Sequence, residues 1–314
     1  VGRTDEHYRA FVRILSKNIY LYTEMITCDS FLHTNRKDYV VKEGEKNLTI
    51  QLAGSDPKKY GQCASIIEDQ GYDEINLNIG CPSSKVVKGE FGACLMNNPD
   101  KVAECVYEIK QSCDLPISIK TRLGLGYEEN LDLLFTLINK TKVFGCSKYI
   151  IHARNAILNG LSPKKNRKIP VLRYADVTTV KDSFPGLEFY LNGGVEDISE
   201  IRKNINKFDG LMIGRRIYDN PMFLNQIEKE IYNNNETLSR QSILKKYLKY
   251  ALSLQNKNTS NYLLLRHLFS LYYNTSSSKK WKKFLHDIIQ SDKDIELITN
   301  FEESTYDEEI KAYR

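Results

Sequence analysis

The residue that most invites chemistry is Cys81, set between Gly80 and Pro82 in the run Asn78-Ile79-Gly80-Cys81-Pro82-Ser83. A thiol held on so stiff a backbone can act as a nucleophile or as a proton donor. Three apolar runs carry polar groups that a buried strand would avoid: Gln51 in Ile50-Gln51-Leu52-Ala53-Gly54, Lys120 in Ser118-Ile119-Lys120-Thr121-Arg122, and His152 in Tyr149-Ile150-Ile151-His152-Ala153-Arg154. A buried ammonium is costly unless an anion faces it, so Lys120 points to an anionic ligand. Two further runs end Leu191-Asn192-Gly193-Gly194 and Ile213-Gly214-Arg215-Arg216. Glycines let the backbone approach a ligand closely, and amides with an arginine suit a phosphate. Taken singly, the glycines could be tight turns and His152 a satisfied core residue. Together they favour a ligand site.

Positioning these groups requires strands, and the sequence supplies seven candidates: Ile19–Thr27, Leu48–Ala53, Glu74–Ile79, Pro116–Arg122, Lys148–Ala153, Glu188–Asn192 and Gly210–Gly214. Several are nearly continuous apolar runs, as buried parallel strands should be. Amphipathic segments lie between most of them: Pro57–Gln70, Pro99–Gln111, Asn130–Lys142, Tyr174–Phe184 and Asp197–Ile205. A helix also leads the chain, with Thr4 as its expected N-cap and Tyr8, Phe11, Val12 and Leu15 at helical spacing. Alternating strand and helix predicts a parallel α/β architecture. Seven strands after a leading helix fit a (β/α)₈ TIM barrel whose first strand lies upstream of Val1. The chemistry-bearing residues then fall at the carboxyl ends of the strands, where barrels place their sites, and the two glycine pairs fall at the usual phosphate position. An open doubly wound sheet is disfavoured, because Gly124-Leu125-Gly126 lacks the third glycine of a dinucleotide fingerprint.

Beyond Asn233-Asn234-Asn235 the strands stop. Ser239–Gln255, Tyr262–Asn274, Lys279–Gln290 and Ile295–Phe301 read as helices, and no glycine follows Gly214. The expected division is a barrel domain over 1–234 and a helical domain over 235–314. The 314 residues suffice for a large core, and 41% hydrophobic with 27% charged residues excludes collagen, coiled coil and wholesale disorder. No run is long and apolar enough for a membrane span, and no signal peptide is visible. Seven cysteines without Cys-x-x-Cys argue against a metal site and for a reducing compartment. The net charge of +5 is small, but Lys164-Lys165-Asn166-Arg167-Lys168 and Lys279-Lys280-Trp281-Lys282-Lys283 are basic runs. Beside the barrel mouth and in the helical domain, they suggest an electrostatic footprint for RNA.

The sequence resembles the tRNA-dihydrouridine synthases. The resemblance is carried by Tyr22-Thr23-Glu24-Met25, by Gln51-Leu52-Ala53-Gly54-Ser55-Asp56-Pro57, and by Tyr72 to Ser83. Phe91-Gly92-Ala93-Cys94-Leu95-Met96, Lys120-Thr121-Arg122, His152-Ala153-Arg154, Gly160-Leu161-Ser162-Pro163, Asn166-Arg167, Asn192-Gly193-Gly194 and Gly214-Arg215 continue it. It is strongest to the A-type subfamily, which acts at D-loop uridines 20 and 20a. The family's Ala-Pro-Met stretch would lie upstream of Val1, and Asn155 stands where the subfamily commonly has lysine.

The resemblance implies FMN, NADPH as reductant and a tRNA substrate. Hydride passes from flavin N5 to C6 of a flipped-out uracil and a cysteine protonates C5. Matched position by position, Cys81 is that donor and Asn78 a uracil contact. Gln51, Lys120 and His152 would hold the flavin ring and ribityl region. Asn192, Gly193, Gly194, Gly214 and Arg215 would hold its phosphate. Arg154, Lys165, Arg167 and Arg266 match tRNA-contacting positions. A cytoplasmic monomer without metal or membrane attachment is expected, an organellar location being the alternative. The competing functions are another FMN barrel oxidoreductase of the dihydroorotate dehydrogenase kind and a tRNA-binding protein without catalysis.

Overall fold

The computed structural model describes residues 2–34, 40–42, 45–255, 259–290 and 294–302. Seven parallel strands form one sheet: β1 (Leu21–Thr27), β2 (Leu48–Ala53), β3 (Glu74–Asn78), β4 (Ile117–Arg122), β5 (Cys146–His152), β6 (Glu188–Asn192) and β7 (Gly210–Met212). Each expected strand is present, β2 and β6 with the expected bounds and the others with ends moved by at most two residues. The spatial order is the chain order, β1 through β7. A doubly wound sheet reverses its order at a switch point, whereas a strand always added on the same side generates a barrel wall. No ladder joins β7 to β1 among the described residues, so the sheet is a curled half-barrel with two edges.

The helices within the sheet-bearing unit are α2 (Cys28–His33), α3 (Pro57–Glu68), α4 (Ser84–Lys88), α5 (Pro99–Ser112), α6 (Asp132–Lys142), α7 (Tyr174–Ser183) and α8 (Ile198–Asn204). Their starts follow capping chemistry. Asp56 accepts from Lys58 and Lys59 N–H ahead of Pro57 in α3, and Asn98 accepts from Lys101 N–H ahead of Pro99 in α5. The crossover helices carry the apolar face of the sheet. Ile50, Leu52, Ile75, Leu77, Ile119, Tyr149, Ile151, Phe189 and Leu191 are fully enclosed. Tyr149 hydroxyl bonds to Thr141 of α6 at 2.7 Å, and Phe189 packs near Phe184 at the end of α7.

The strand residues of opposite parity are polar. Register pairs Gln51 with Asn76, Asn76 with Ser118, Asn78 with Lys120, Arg122 with His152 and His152 with Asn192. Because side chains alternate across a strand, these residues share the face opposite the helices. Such a face is stable only if its groups bond to one another or to a ligand.

The chain forms two compact units, Tyr20–Ile213 and Gly2–Ile19 with Gly214–Arg314. The second contains α1 (Glu6–Leu15), α9 (Arg215–Asp219), α10 (Phe223–Glu230), α11 (Arg240–Gln255), α12 (Asn261–Leu265) and α13 (Ser278–Gln290). Compactness thus groups the leading helix and residues 214–234 with the C-terminal helices, a different division from the one expected at 235. The N-cap of α1 is Asp5 rather than Thr4: its carboxylate accepts Tyr8 N–H at 2.8 Å. The expected helix Tyr262–Asn274 breaks after Leu265 into the 3₁₀ turn Arg266–Ser270, and Ile295–Asn300 is also 3₁₀. The core of this unit is aromatic, with Phe11 edge-on to Tyr247 and Trp281 packed on Tyr272 and Phe301. No helix among the described residues is long and apolar enough to cross a membrane.

Candidate active site at the carboxyl ends of the strands

Parallel strands deliver their carboxyl ends to one rim, and the sheet-bearing unit gathers its polar residues there. Gln51 lies two residues before the end of β2 and Lys120 two before the end of β4, while Asn78, Arg122, His152 and Asn192 end β3, β4, β5 and β6. Their contacts are mutual. Lys120 Nζ donates to Asn192 Oδ1 at 2.8 Å, and Asn192 Nδ2 donates to Met212 O at 2.7 Å. Gln51 Nε2 donates to Asn76 Oδ1, and Asn78 Nδ2 donates to Gln51 Oε1, both at 2.8 Å. Burial pushes the Lys120 ammonium down to about 8, helped by repulsion from Arg122 and opposed by Cys81. Low polarity disfavours a lone cation, so this position is primed for a negative partner.

Cys81 is half-buried on the turn that leaves β3. Asn78 Oδ1 accepts Gly80 N–H at 3.2 Å and Cys81 N–H at 3.0 Å, closing the turn on its own strand. The Cys81 carbonyl accepts Ala93 N–H at 3.0 Å. Gly92, at φ +67°, lies so close that an added Cβ would stand 2.8 Å from Cys81 O and 2.3 Å from Val86. The Phe91-Gly92-Ala93-Cys94 motif therefore acts as a backbone clamp on the Cys81 turn. Cys94 itself sits in the 3₁₀ turn Gly92–Asn97, its thiol pushed up mainly by burial.

Arg122 was legible only as part of a motif, and the structure gives it a part that spacing could not. The residue is 5% exposed. Nε donates to Gly80 O at 3.0 Å, and one terminal nitrogen to Asn155 O and Asn166 O, both at 3.1 Å. It thus ties the Cys81 turn to the long loop after β5. Burial, ahead of repulsion by Arg167 and Arg154, pushes it down to about 10. The loop has a second clamp in Asn166, fully enclosed, which bonds Ile157 N and O and Leu161 O. Asn155 is also committed: it donates to Gly126 and Glu128 carbonyls and accepts from Arg173. This side chain knits the β4 and β5 loops together.

The other expected residues fall as follows. Lys165 is exposed and Arg167 half-buried on the 3₁₀ turn Lys165–Arg167, on that same clamped loop. Arg154 is buried and donates to Pro170 O at 2.6 Å, fastening the loop's far end. Gly193 and Gly194 have φ +102° and +76°. A Cβ on Gly193 would lie 3.1 Å from the His152 ring, and one on Gly194 2.5 Å from Tyr174 Oη, so glycine is required at both. Gly214 and Arg215 open α9 in the other unit. Arg266 lies in that unit too, ion-paired with Asp5, which also bonds His267 at 2.8 Å.

In chemical terms the rim offers a thiol, an ammonium primed for an anion, an amide, an imidazole and main chain exposed by two obligatory glycines. That donor set fits an acceptor-rich anionic heterocycle with a phosphate tail, and leaves the thiol beside it as an acid. No group of three or more histidine, cysteine or acidic residues among the described residues could hold a metal.

Comparison with known proteins gives the same direction. The family described as Dihydrouridine synthase (Dus) matches residues 1–310. The tRNA-dihydrouridine(20/20a) synthase of Shewanella oneidensis is 39% identical over 287 residues, covering 90% of this chain and 85% of that protein. Those of Synechocystis sp. and Escherichia coli are each 39% identical, over 91% and 90% of this chain and 86% and 83% of theirs. Among solved structures, histamine dehydrogenase from Rhizobium sp. 4-9 superposes with a TM-score of 0.51 at 13% identity. It covers 78% of this chain, which spans 46% of that one, and shows likeness of fold alone.

Proposed function

The chain belongs to the dihydrouridine synthase family, and on that premise we propose that it reduces D-loop uridine 20 or 20a of tRNA to 5,6-dihydrouridine. The family carries out this reduction with a flavin. Bound here as FMN and reduced by NADPH, a flavin would supply hydride chemistry at C6 of uracil. The chain's own residues do the rest. Gln51, Lys120 and His152 would hold the ring and ribityl region, and Asn192, Gly193, Gly194, Gly214 and Arg215 would hold the phosphate. The Lys120 ammonium favours negative charge in the rim. Asn78 would contact the uracil, which must leave its stack to reach a barrel mouth. Cys81 gives its proton to C5, so that the C5–C6 double bond gains one hydride and one proton, and the thiolate recovers a proton from solvent. Arg154 and the 165–167 turn, with Arg266 of the helical unit, form the tRNA-contacting set. A catalytic domain over 1–234 and a tRNA-binding domain over 235–314, acting as a cytoplasmic monomer, complete the reading.

The observation that carries it is the Cys81 turn fastened by Asn78 and Arg122 beside a cation primed for an anion. The test is dihydrouridine formation in unmodified tRNA with FMN and NADPH, in wild type beside Cys81→Ala. The variant should retain flavin and its reduction by NADPH while losing about 10²- to 10⁴-fold in product formation, the usual weight of a positioned acid. Loss of flavin binding from Cys81→Ala, or full activity, would refute its role.

A further inference from the structure

Glu74 and Ser118 lie at the far end of the polar face from the Cys81 turn, and neither reaches the rim. We propose that they are positioning residues: Glu74, through Ser118, sets the direction of a hydrogen-bond relay that ends on the backbone amide of Cys81. The relay is continuous. Ser118 Oγ donates to Glu74 Oε1 at 2.5 Å, Asn76 Nδ2 to Ser118 Oγ at 2.7 Å, and Gln51 Nε2 to Asn76 Oδ1 at 2.8 Å. Asn78 Nδ2 donates to Gln51 Oε1 at 2.8 Å, and Cys81 N–H to Asn78 Oδ1 at 3.0 Å.

A carboxylate only accepts, and a hydroxyl has a single proton to give. Glu74, whose other oxygen is held by the Lys148 ammonium, therefore accepts the hydrogen bond of the Ser118 hydroxyl. Thr49 offers the same oxygen a weaker donor at 3.5 Å. Ser118 must then accept from Asn76, which forces the Asn76 carbonyl towards Gln51. Gln51 must turn its carbonyl to Asn78, and Asn78 its carbonyl to Gly80 and Cys81. Three amide side chains, each with two orientations of nearly equal shape, are left with one. Reversing the relay would set the Asn78 NH₂ against the N–H groups of Gly80 and Cys81 and release the turn.

The functional half of this inference rests on the reading of Cys81 as the proton donor; the structural half does not. Hydrogen exchange is therefore measured on flavin-free protein. Ser118→Ala removes one hydroxyl and interrupts the relay. The double variant Glu74→Gln with Lys148→Met leaves no unpaired charge and puts at its head an amide that can either donate or accept a hydrogen bond. In either variant, exchange at Gly80 and Cys81 should rise about tenfold, the weight of one hydrogen bond, while the ladder amides of β3 and β4 keep their wild-type rates. With flavin and tRNA present, product formation should slow while flavin reduction by NADPH stays at the wild-type rate. Unchanged exchange at Gly80 and Cys81 in both variants, or a rise spread evenly over β3 and β4, overturns the relay. Localised exchange with undiminished product formation leaves the relay standing and overturns its link to Cys81 chemistry.

Discussion

Replacing Lys120 with Met should make the flavin-free protein more stable and the flavin complex weaker. Burial lowers the ammonium from 10.5 to about 8. Each unit of such a shift corresponds to about 1.4 kcal/mol, so holding the cation in place at pH 7 costs about 3 kcal/mol. The hydrogen bond to Asn192 and the loss of its partner on substitution offset part of this, leaving an expected gain of about 1–2 kcal/mol. The pH dependence gives the sharper test. A lysine whose native value lies below its unfolded value carries the full penalty below about 8. The penalty fades as pH rises from there towards 10.5, where the native state has released a proton that the unfolded state keeps. Urea unfolding of flavin-free protein should therefore favour Lys120→Met near pH 7 and lose that preference as pH rises towards 10, where the bond to Asn192 leaves wild type the more stable. Flavin titration should show the opposite order, the variant binding at least tenfold more weakly at pH 7, because the anion that relieved the lysine is left without it. Equal stability of the two proteins at every pH, or a variant that binds flavin as tightly as wild type, would refute the argument.

Lys165→Ala with Arg167→Ala should weaken tRNA binding and flatten its dependence on salt, lowering the slope of log affinity against log salt by about 1.5; an unchanged slope in filter binding would remove this turn from the RNA contact. Arg122→Lys should destabilise the sheet-bearing unit by about 3 kcal/mol in urea unfolding, because an ammonium cannot reproduce three charge-assisted bonds to Gly80, Asn155 and Asn166. It should also slow product formation more than flavin reduction. In the helical unit, hydrogen bonds from His267, Tyr8 and Arg266 outweigh burial and hold the Asp5 carboxyl well below its ordinary value. Its stabilisation is complete above about pH 4 and lost as pH falls further, so Asp5→Asn should flatten the acid limb of thermal unfolding between pH 4 and 2.

What the sequence determined by itself was whatever depends on neighbours a few residues apart. Apolar runs broken by amphipathic segments located all seven strands and the longer helices α3, α5, α6, α7 and α8, since burial on one face imposes its period locally, but not the short α2 and α4. Turn chemistry marked Cys81, Gly193 and Gly194, since each needs a backbone that its own neighbours provide. Local signals were weaker at helix ends: Thr4 and Asp5 are both competent caps, and only the bond to Tyr8 N–H chose Asp5. Tertiary structure decided the partners. Arg266 reads as a free surface cation until Asp5, 261 positions away, closes on it. Arg122 reads as the end of a motif until its three carbonyls arrive from the β3 turn and the β5 loop. Asn76, Ser118 and Glu74 are ordinary polar residues in two strands, and Gln51 reads as a ligand group rather than as their partner. Strand register puts them on one face and in contact, and register is set by packing across the whole sheet rather than by any one segment.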